Sequence, residues 1–398
     1  MSRNDRTTAL AGALVLAIGM GFGRFAFTGL YPLMVAEQQI SVEAGSYAAS
    51  ANYAGYLIGA LLLSLWPTRS SRAMCALAVL TTAALLGLLG LPLSPLHIIL
   101  VRGLAGVSSA VAMVAAAQWL LHDRGLSHEV ATLFAGVGIG ILLSAEIIAA
   151  GHAAALPSRS LWLLLGGVSL VLGSVALWLQ SRAERDERPP TSDATAIGGL
   201  LGPYRLTIVY GLAGFGYIIT ATYLPLLVRN ALSSVDPAHI WALFGLGAMP
   251  SCFLWHALHR RWGSNVSLAA NLGVQAVGVV LPVLHHPVAY VASALIVGGT
   301  FVGTVTIALP AARKVAALVR FDMIAVMTLA YGAGQIAGPF VANALYLSSG
   351  SFDASLLVAG LVLLTAAALS LPKMEPRRVD LTETTAREAA MRATSSPA

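Results

Sequence analysis

Three ionisable residues lie deep inside apolar runs of the chain: Arg24, Arg102 and Glu146. Each type brings its own chemistry. A guanidinium presents a planar fork of donors that meets a carboxylate or phosphate through two bonds, and it stays charged at any working pH. A carboxyl gains and loses protons, so Glu146 is the candidate proton-coupling residue, acting on Arg24 or Arg102. A charge at the centre of a bilayer costs from ~2.5 to more than ~10 kcal/mol, so each of the three needs a reason to be there. One reason is a cavity, net positive with Glu146 ionised, that binds an anion. The other is packing: an Arg–Glu pair fixes two helices and the second arginine reaches an interface.

The elements that must carry these residues follow from composition. The chain has 398 residues, 57% of them apolar and 10% charged, with a mean hydropathy of +0.80. A soluble domain carries roughly 25% charged residues to cover its surface, so this chain cannot cover itself that way. Two cysteines, Cys75 and Cys252, cannot staple a chain of this size, and the hydrophobicity excludes disorder. The expectation is an all-α integral membrane protein. A spanning helix needs about 20 apolar residues, and twelve such windows read at 8–34, 44–65, 73–91, 96–121, 130–151, 160–180, 206–229, 238–258, 266–284, 288–310, 322–345 and 354–372. Backbone groups in lipid must be satisfied within their own segment, which makes the spans helical. Counting ~1.5 Å per residue, Arg24, Arg102 and Glu146 all fall ~21–22 Å from one face, so one shared level is expected.

Orientation follows from the cationic residues. Of the 23 Lys and Arg, all but Arg24, Arg102, Arg159 and Arg229 fall on one side, which places both termini in the cytoplasm; the expected location is the inner (plasma) membrane. The first span is too long, and lacks a small-residue cleavage site, to read as a cleaved signal. The expected units are two six-helix bundles at 1–180 and 206–372, a cytoplasmic linker at 181–205, and a polar tail at 373–398.

The halves repeat. Gly21-Phe22-Gly23 with Pro32-Leu33 in span 1 recurs as Gly214-Phe215-Gly216 with Pro225-Leu226 in span 7, at a constant offset of 193 residues. Small-residue pairs such as Gly55/Gly59, Gly136/Gly140, Gly299/Gly303 and Gly334/Gly338 let helices approach closely. Parallel halves of this kind can rock about a site at their interface.

These features, with Gly21-Phe22-Gly23-Arg24-Phe25 and Ala51-Asn52-Tyr53-Ala54-Gly55-Tyr56, resemble the major facilitator superfamily, in particular its YbfB/YjiJ-like branch. The resemblance covers essentially the whole chain and implies secondary transport without naming a substrate. It implies that spans 1, 4, 5, 7 and 11 line a central cavity. Arg24, Arg102, Tyr217, Gln335 and Asn52 are then the candidate substrate contacts, although each neutral side chain also reads as helix-packing glue. The loop after span 2 keeps Arg69 and Arg72 but lacks the superfamily's usual Asp, and span 5 lacks the antiporter glycine–proline signature. Arg102-Gly103-Leu104-Ala105-Gly106 is similar to the superfamily's span-4 Arg pattern.

The expected function is proton-coupled movement of a small organic anion or amphipathic metabolite by a monomer, with membrane lipid as its surroundings. Efflux of amphipathic cations, with Glu146 as the attracting charge, is the alternative of the same class. A non-transporting sensor or scaffold is the alternative of another class. No enzyme, cofactor, metal site or nucleic-acid partner is expected. A phosphate-binding loop is absent, and Gly21-Phe22-Gly23-Arg24-Phe25-Ala26 matches a dinucleotide fingerprint only as text, within an apolar helix. His285-His286 and the pair His122 and His128 read as loop residues without further ligands.

Overall fold

A computed structural model describes residues 3–65, 70–183, 201–231 and 235–371. The basic loop around Arg69, most of the expected linker and the expected tail lie outside these residues. Among the described residues every regular element is helical: α1 (Arg3–Leu16), α2 (Ala26–Ala36), α3 (Val42–Leu65), α4 (Ser71–Leu89), α5 (Pro95–Ala117) and α6 (Val130–Ala153) come first. They are followed by α7 (Ser158–Arg182), α8 (Pro203–Ala231), α9 (Pro237–Val280), α10 (Pro287–Val315), α11 (Met323–Ser349) and α12 (Asp353–Ser370). A π-helical stretch, Ala17–Phe25, joins α1 to α2 as one rod, and a π-helical turn, Gln118–Asp123, ends α5. Ten of the described helical segments are long and apolar enough to cross a membrane.

The outward faces fit lipid. Leu163, Val171, Leu361 and Leu364 stand 53%, 65%, 66% and 53% exposed on α7 and α12. Water would penalise such bare apolar faces, and hydrocarbon does not.

α9 is two legs. Gly263 sits at φ +76°, a left-handed conformation that suits glycine, and it breaks the rod between 237–262 and 264–280. Asp236 and Asp322 start α9 and α11 by accepting backbone N–H bonds with their side chains.

The first and second halves meet along two seams, α6 against α9 and α3 against α11, with α2 crossing α8 between them. The α6–α9 seam is packed backbone to backbone. A Cβ on Gly138 would lie 2.5 Å from the Met249 nitrogen, and one on Gly245 would lie 2.5 Å from the Leu142 nitrogen. Only glycine permits this approach, and no bulkier pair could close the seam.

Candidate functional site

A cavity of about 730 Å³ runs between the halves. Arg24, Tyr217 and Gln335 lie deep in it, and Ser64, His122, Arg313 and Asp322 lie where it reaches the helix ends on the side of the chain termini. The distal side is closed by bonds between the halves. Thr28 Oγ1 donates to the Ala221 carbonyl (3.0 Å), the Tyr53 and Thr222 hydroxyls pair (3.0 Å), and Tyr223 donates to Ser46 (2.7 Å). Arg229 adds a bond to the Pro32 carbonyl at 2.7 Å. This state is therefore open towards the terminal end and shut at the distal end.

Arg24 owes its position to the π-helical stretch. A π turn widens the helix and leaves carbonyls for partners outside it. Arg102 on α5 donates to the Gly23 and Arg24 carbonyls, both at 2.9 Å, and Ser109 donates to Gly19 at 2.6 Å. From the second half, Trp241 Nε1 donates to the Phe25 carbonyl at 2.9 Å. Three side chains on two helices thus hold open the turn that projects Arg24 into the cavity.

Arg24 itself is 3% exposed. Its guanidinium lies 4.3 Å from the Tyr56 ring centroid, 5.0 Å from Tyr53 and 5.4 Å from Phe25, so aromatic π-electron density surrounds the cation. Nη2 donates to Gln335 Oε1 at 2.9 Å, and Gln335 Nε2 donates to the Tyr217 hydroxyl. Nε is buried without a partner, and among the described residues no carboxylate pairs with Arg24. A buried guanidinium without a counter-ion is costly, and here it faces a cavity that can take an anion.

The structure brings Arg24, Tyr217 and Gln335 together and leaves the other candidates elsewhere. Arg102 is 1% exposed, and its guanidinium lies on backbone carbonyls and the Phe27 ring (4.5 Å) outside the cavity lining. Asn52 is fully buried and donates to the Arg102 carbonyl at 2.9 Å, tying α3 to α5. Glu146 stands at the seam with its side chain 49% exposed and pairs with His239 Nδ1 at 3.1 Å. The shared level expected for the three charges does not become a shared site. Glu146 projects sideways towards the start of α9, and Arg102 is drawn to the π-helical carbonyls.

Apart from Tyr217, the aromatic lining was not singled out as a site from the sequence. Tyr210, Tyr331, Tyr217 and Phe301 form a stacked row with centroids 4.4, 5.9 and 5.4 Å apart and planes within 27° of parallel. Spacing held a signal: Tyr210 and Tyr217 are two helical turns apart, and Tyr331 and Gln335 are one turn apart, so each pair shares a face.

The comparisons agree with this architecture. Residues 16–371 match the family described as "Uncharacterised MFS-type transporter YbfB". Curated protein sequences gave no match. Among solved structures, the nucleoside transporter NupG superposes with a TM-score of 0.68 over 91% of this chain and 98% of its own, at 13% identity, a likeness of fold. With the match spanning nearly the whole chain, the protein belongs to the YbfB-like family of major facilitator (MFS) transporters.

Proposed function

We propose that the protein is a secondary transporter that moves a small organic anion across the inner membrane by alternating access, with Arg24 holding the anionic group. The observation that carries this reading is Arg24: 97% buried, facing the cavity, and without a carboxylate partner among the described residues. A substrate carboxylate supplies the missing counter-charge through a charge-assisted bond. Tyr217 contributes the opposite wall, so the substrate touches both halves, and the Gln335 amide occupies Arg24 until the substrate replaces it.

The proposed architecture is twelve spans in two six-helix bundles, 1–180 and 206–372, in which α3 and the two legs of α9 each count as one. The cationic residues favour cytoplasmic termini, so this state opens to the cytoplasm. Rocking about the α6–α9 and α3–α11 seams would break the distal bonds and expose Arg24 to the other side.

A proton role for Glu146 would act on closure of the distal seam, through His239, and not on the bound substrate. The cation-efflux alternative finds no support in the cavity, where the aromatic faces around Arg24 already hold a cation.

The test is flux in proteoliposomes. Purified protein should carry labelled monocarboxylates such as hexanoate and 3-phenylpropionate, and Arg24→Ala should abolish that flux while Glu146→Gln retains most of it. Transport of cations alone, unaffected by Arg24→Ala, would overturn the reading.

A further inference from the structure

The charge in the cavity sets the valence of what binds. At the depth of Arg24 the lining carries one formal charge, and Arg313, His122 and Asp322 lie at the mouth. Asp322 is already engaged, accepting from the Ile324 and Ala325 nitrogens. One positive charge is neutralised by one negative charge. A phosphate monoester brings roughly −1.5 to −2 near neutral pH and would leave an excess in a closed, low-dielectric site. A monocarboxylate leaves none.

The walls set the shape. Tyr331 is stacked on Tyr210 and on Tyr217, and Tyr217 is stacked on Tyr331 and Phe301. Rings stacked on two neighbours turn their edges to the open side. An aromatic edge carries the positive part of the ring quadrupole, which attracts the π face of another ring in edge-to-face contact and does not attract a cation. Met20 and Met113 line the same cavity from the first half, and a thioether sulfur makes favourable contacts with aromatic rings. A flat ring therefore gains on both walls, where a saturated ring gains only burial.

Gln335 completes the arrangement. Its carbonyl oxygen sits on Arg24 where a carboxylate oxygen would sit, as a neutral acceptor that an ionised one outcompetes.

Resting on the anion reading above, we infer that the substrate is an aromatic monocarboxylate, whose carboxylate takes the place of the Gln335 amide on Arg24 and whose ring lies against the edges of Tyr217 and Tyr331. The cavity volume of about 730 Å³ accommodates such a molecule.

A matched set of probes tests this on the purified full-length protein by thermal stabilisation and by competition for flux. The probes are 3-phenylpropionate, 3-cyclohexylpropionate, 3-phenylpropionamide, 3-phenylpropylammonium, phenylsuccinate and uridine. The expected result is that 3-phenylpropionate binds at least tenfold tighter than each of the others, and that Tyr331→Leu removes its advantage over the cyclohexyl analogue. Equal binding of the two monocarboxylates overturns the aromatic inference and leaves the anion reading standing. Tighter binding of phenylsuccinate overturns the monovalent part. Binding of the ammonium or of uridine alone overturns this inference and the anion reading together. Stabilisation by none of the carboxylates overturns the inference, with hexanoate flux then deciding the anion reading separately. The wild-type ranking decides the matter even where Tyr331→Leu fails to fold.

Discussion

Arg24 and Tyr217 occupy equivalent places in the two halves, 193 residues apart, and both are bonded to the side-chain amide of Gln335. The same offset separates Thr28 from Ala221, which touch across the seam at 3.0 Å. Segments related by the repeat therefore touch at a matching pair of positions. The chemistry at the related positions differs, since Arg24 contributes a cation and Tyr217 a phenol. The cavity thus has a charged wall and a neutral wall, joined by the Gln335 amide.

Changing Gln335 tests that bridge. Gln335→Glu would put a carboxylate 2.9 Å from Arg24 Nη2 and give the guanidinium an internal counter-ion. Anion affinity should fall at least tenfold, about 1.4 kcal/mol, while the ligand-free protein becomes more heat-stable. Gln335→Ala removes the competitor without adding a charge, so binding should be retained. Thermal stabilisation by 3-phenylpropionate, measured across the pair, separates the two outcomes. Loss of binding in both variants would mean that Gln335 contacts the substrate directly.

Arg24 and Arg102 should behave oppositely on removal. Arg102→Met leaves the Gly23 and Arg24 carbonyls without their donor, at about 1–3 kcal/mol for each orphaned group. The protein should lose several degrees in Tm, with binding falling as the π-helical turn relaxes. Arg24→Met removes a buried charge that lacks a counter-ion, so Tm without ligand should hold or rise while anion binding vanishes. A lower Tm in Arg24→Met would indicate that its aromatic contacts outweigh its burial cost.

The fold was legible because lipid leaves few options. Apolar windows anticipated the helices, and the windows at 238–258 and 266–284 flank the break at Gly263. The site was legible only in part. Arg24, Tyr217 and Gln335 stood out as polar groups in apolar helices. Depth along a helix says nothing about azimuth, however, and Glu146 and Arg102 at similar depth point away from the cavity. The π-helical stretch had no sequence signature beyond its glycines, so the carbonyls that capture Arg102 could not be anticipated. The rest of the aromatic row, Tyr210, Tyr331 and Phe301, escaped because aromatic residues in apolar helices usually read as core.

The distal seam carries two pairs between the halves: His152 with Asp236 at 2.5 Å and His239 with Glu146 at 3.1 Å. Partly exposed pairs contribute roughly 0.2–1 kcal/mol each, so breaking both shifts the balance of open and closed states by roughly twofold to thirtyfold. Asp236→Asn keeps the side-chain oxygen that caps α9 and loses the charge. The double variant Asp236→Asn, Glu146→Gln should populate the distal-open state. A cysteine placed at Ala221, which is fully buried and keeps the backbone carbonyl that accepts from Thr28, should then react faster with a membrane-impermeant thiol reagent. Unchanged labelling would place distal closure on the buried hydroxyl bonds instead.

The missing counter-ion of Arg24 has a kinetic consequence. To change sides, the carrier must pass through a state in which both ends are shut and the cavity is dry, and there an unpaired guanidinium is most costly. Bound monocarboxylate cancels the charge, so the loaded carrier crosses more readily than the empty one. Among the described cavity-lining residues no carboxylate at the depth of Arg24 offers a proton-dependent substitute. Exchange of internal for external anion should therefore run at least tenfold faster than net efflux into anion-free buffer. Proteoliposomes loaded with labelled 3-phenylpropionate, with and without unlabelled compound outside, measure the ratio. Gln335→Glu should bring the two rates together, because its carboxylate accompanies Arg24 through the closed state. Equal rates in the unmodified protein would mean that the empty carrier finds another way to shield Arg24.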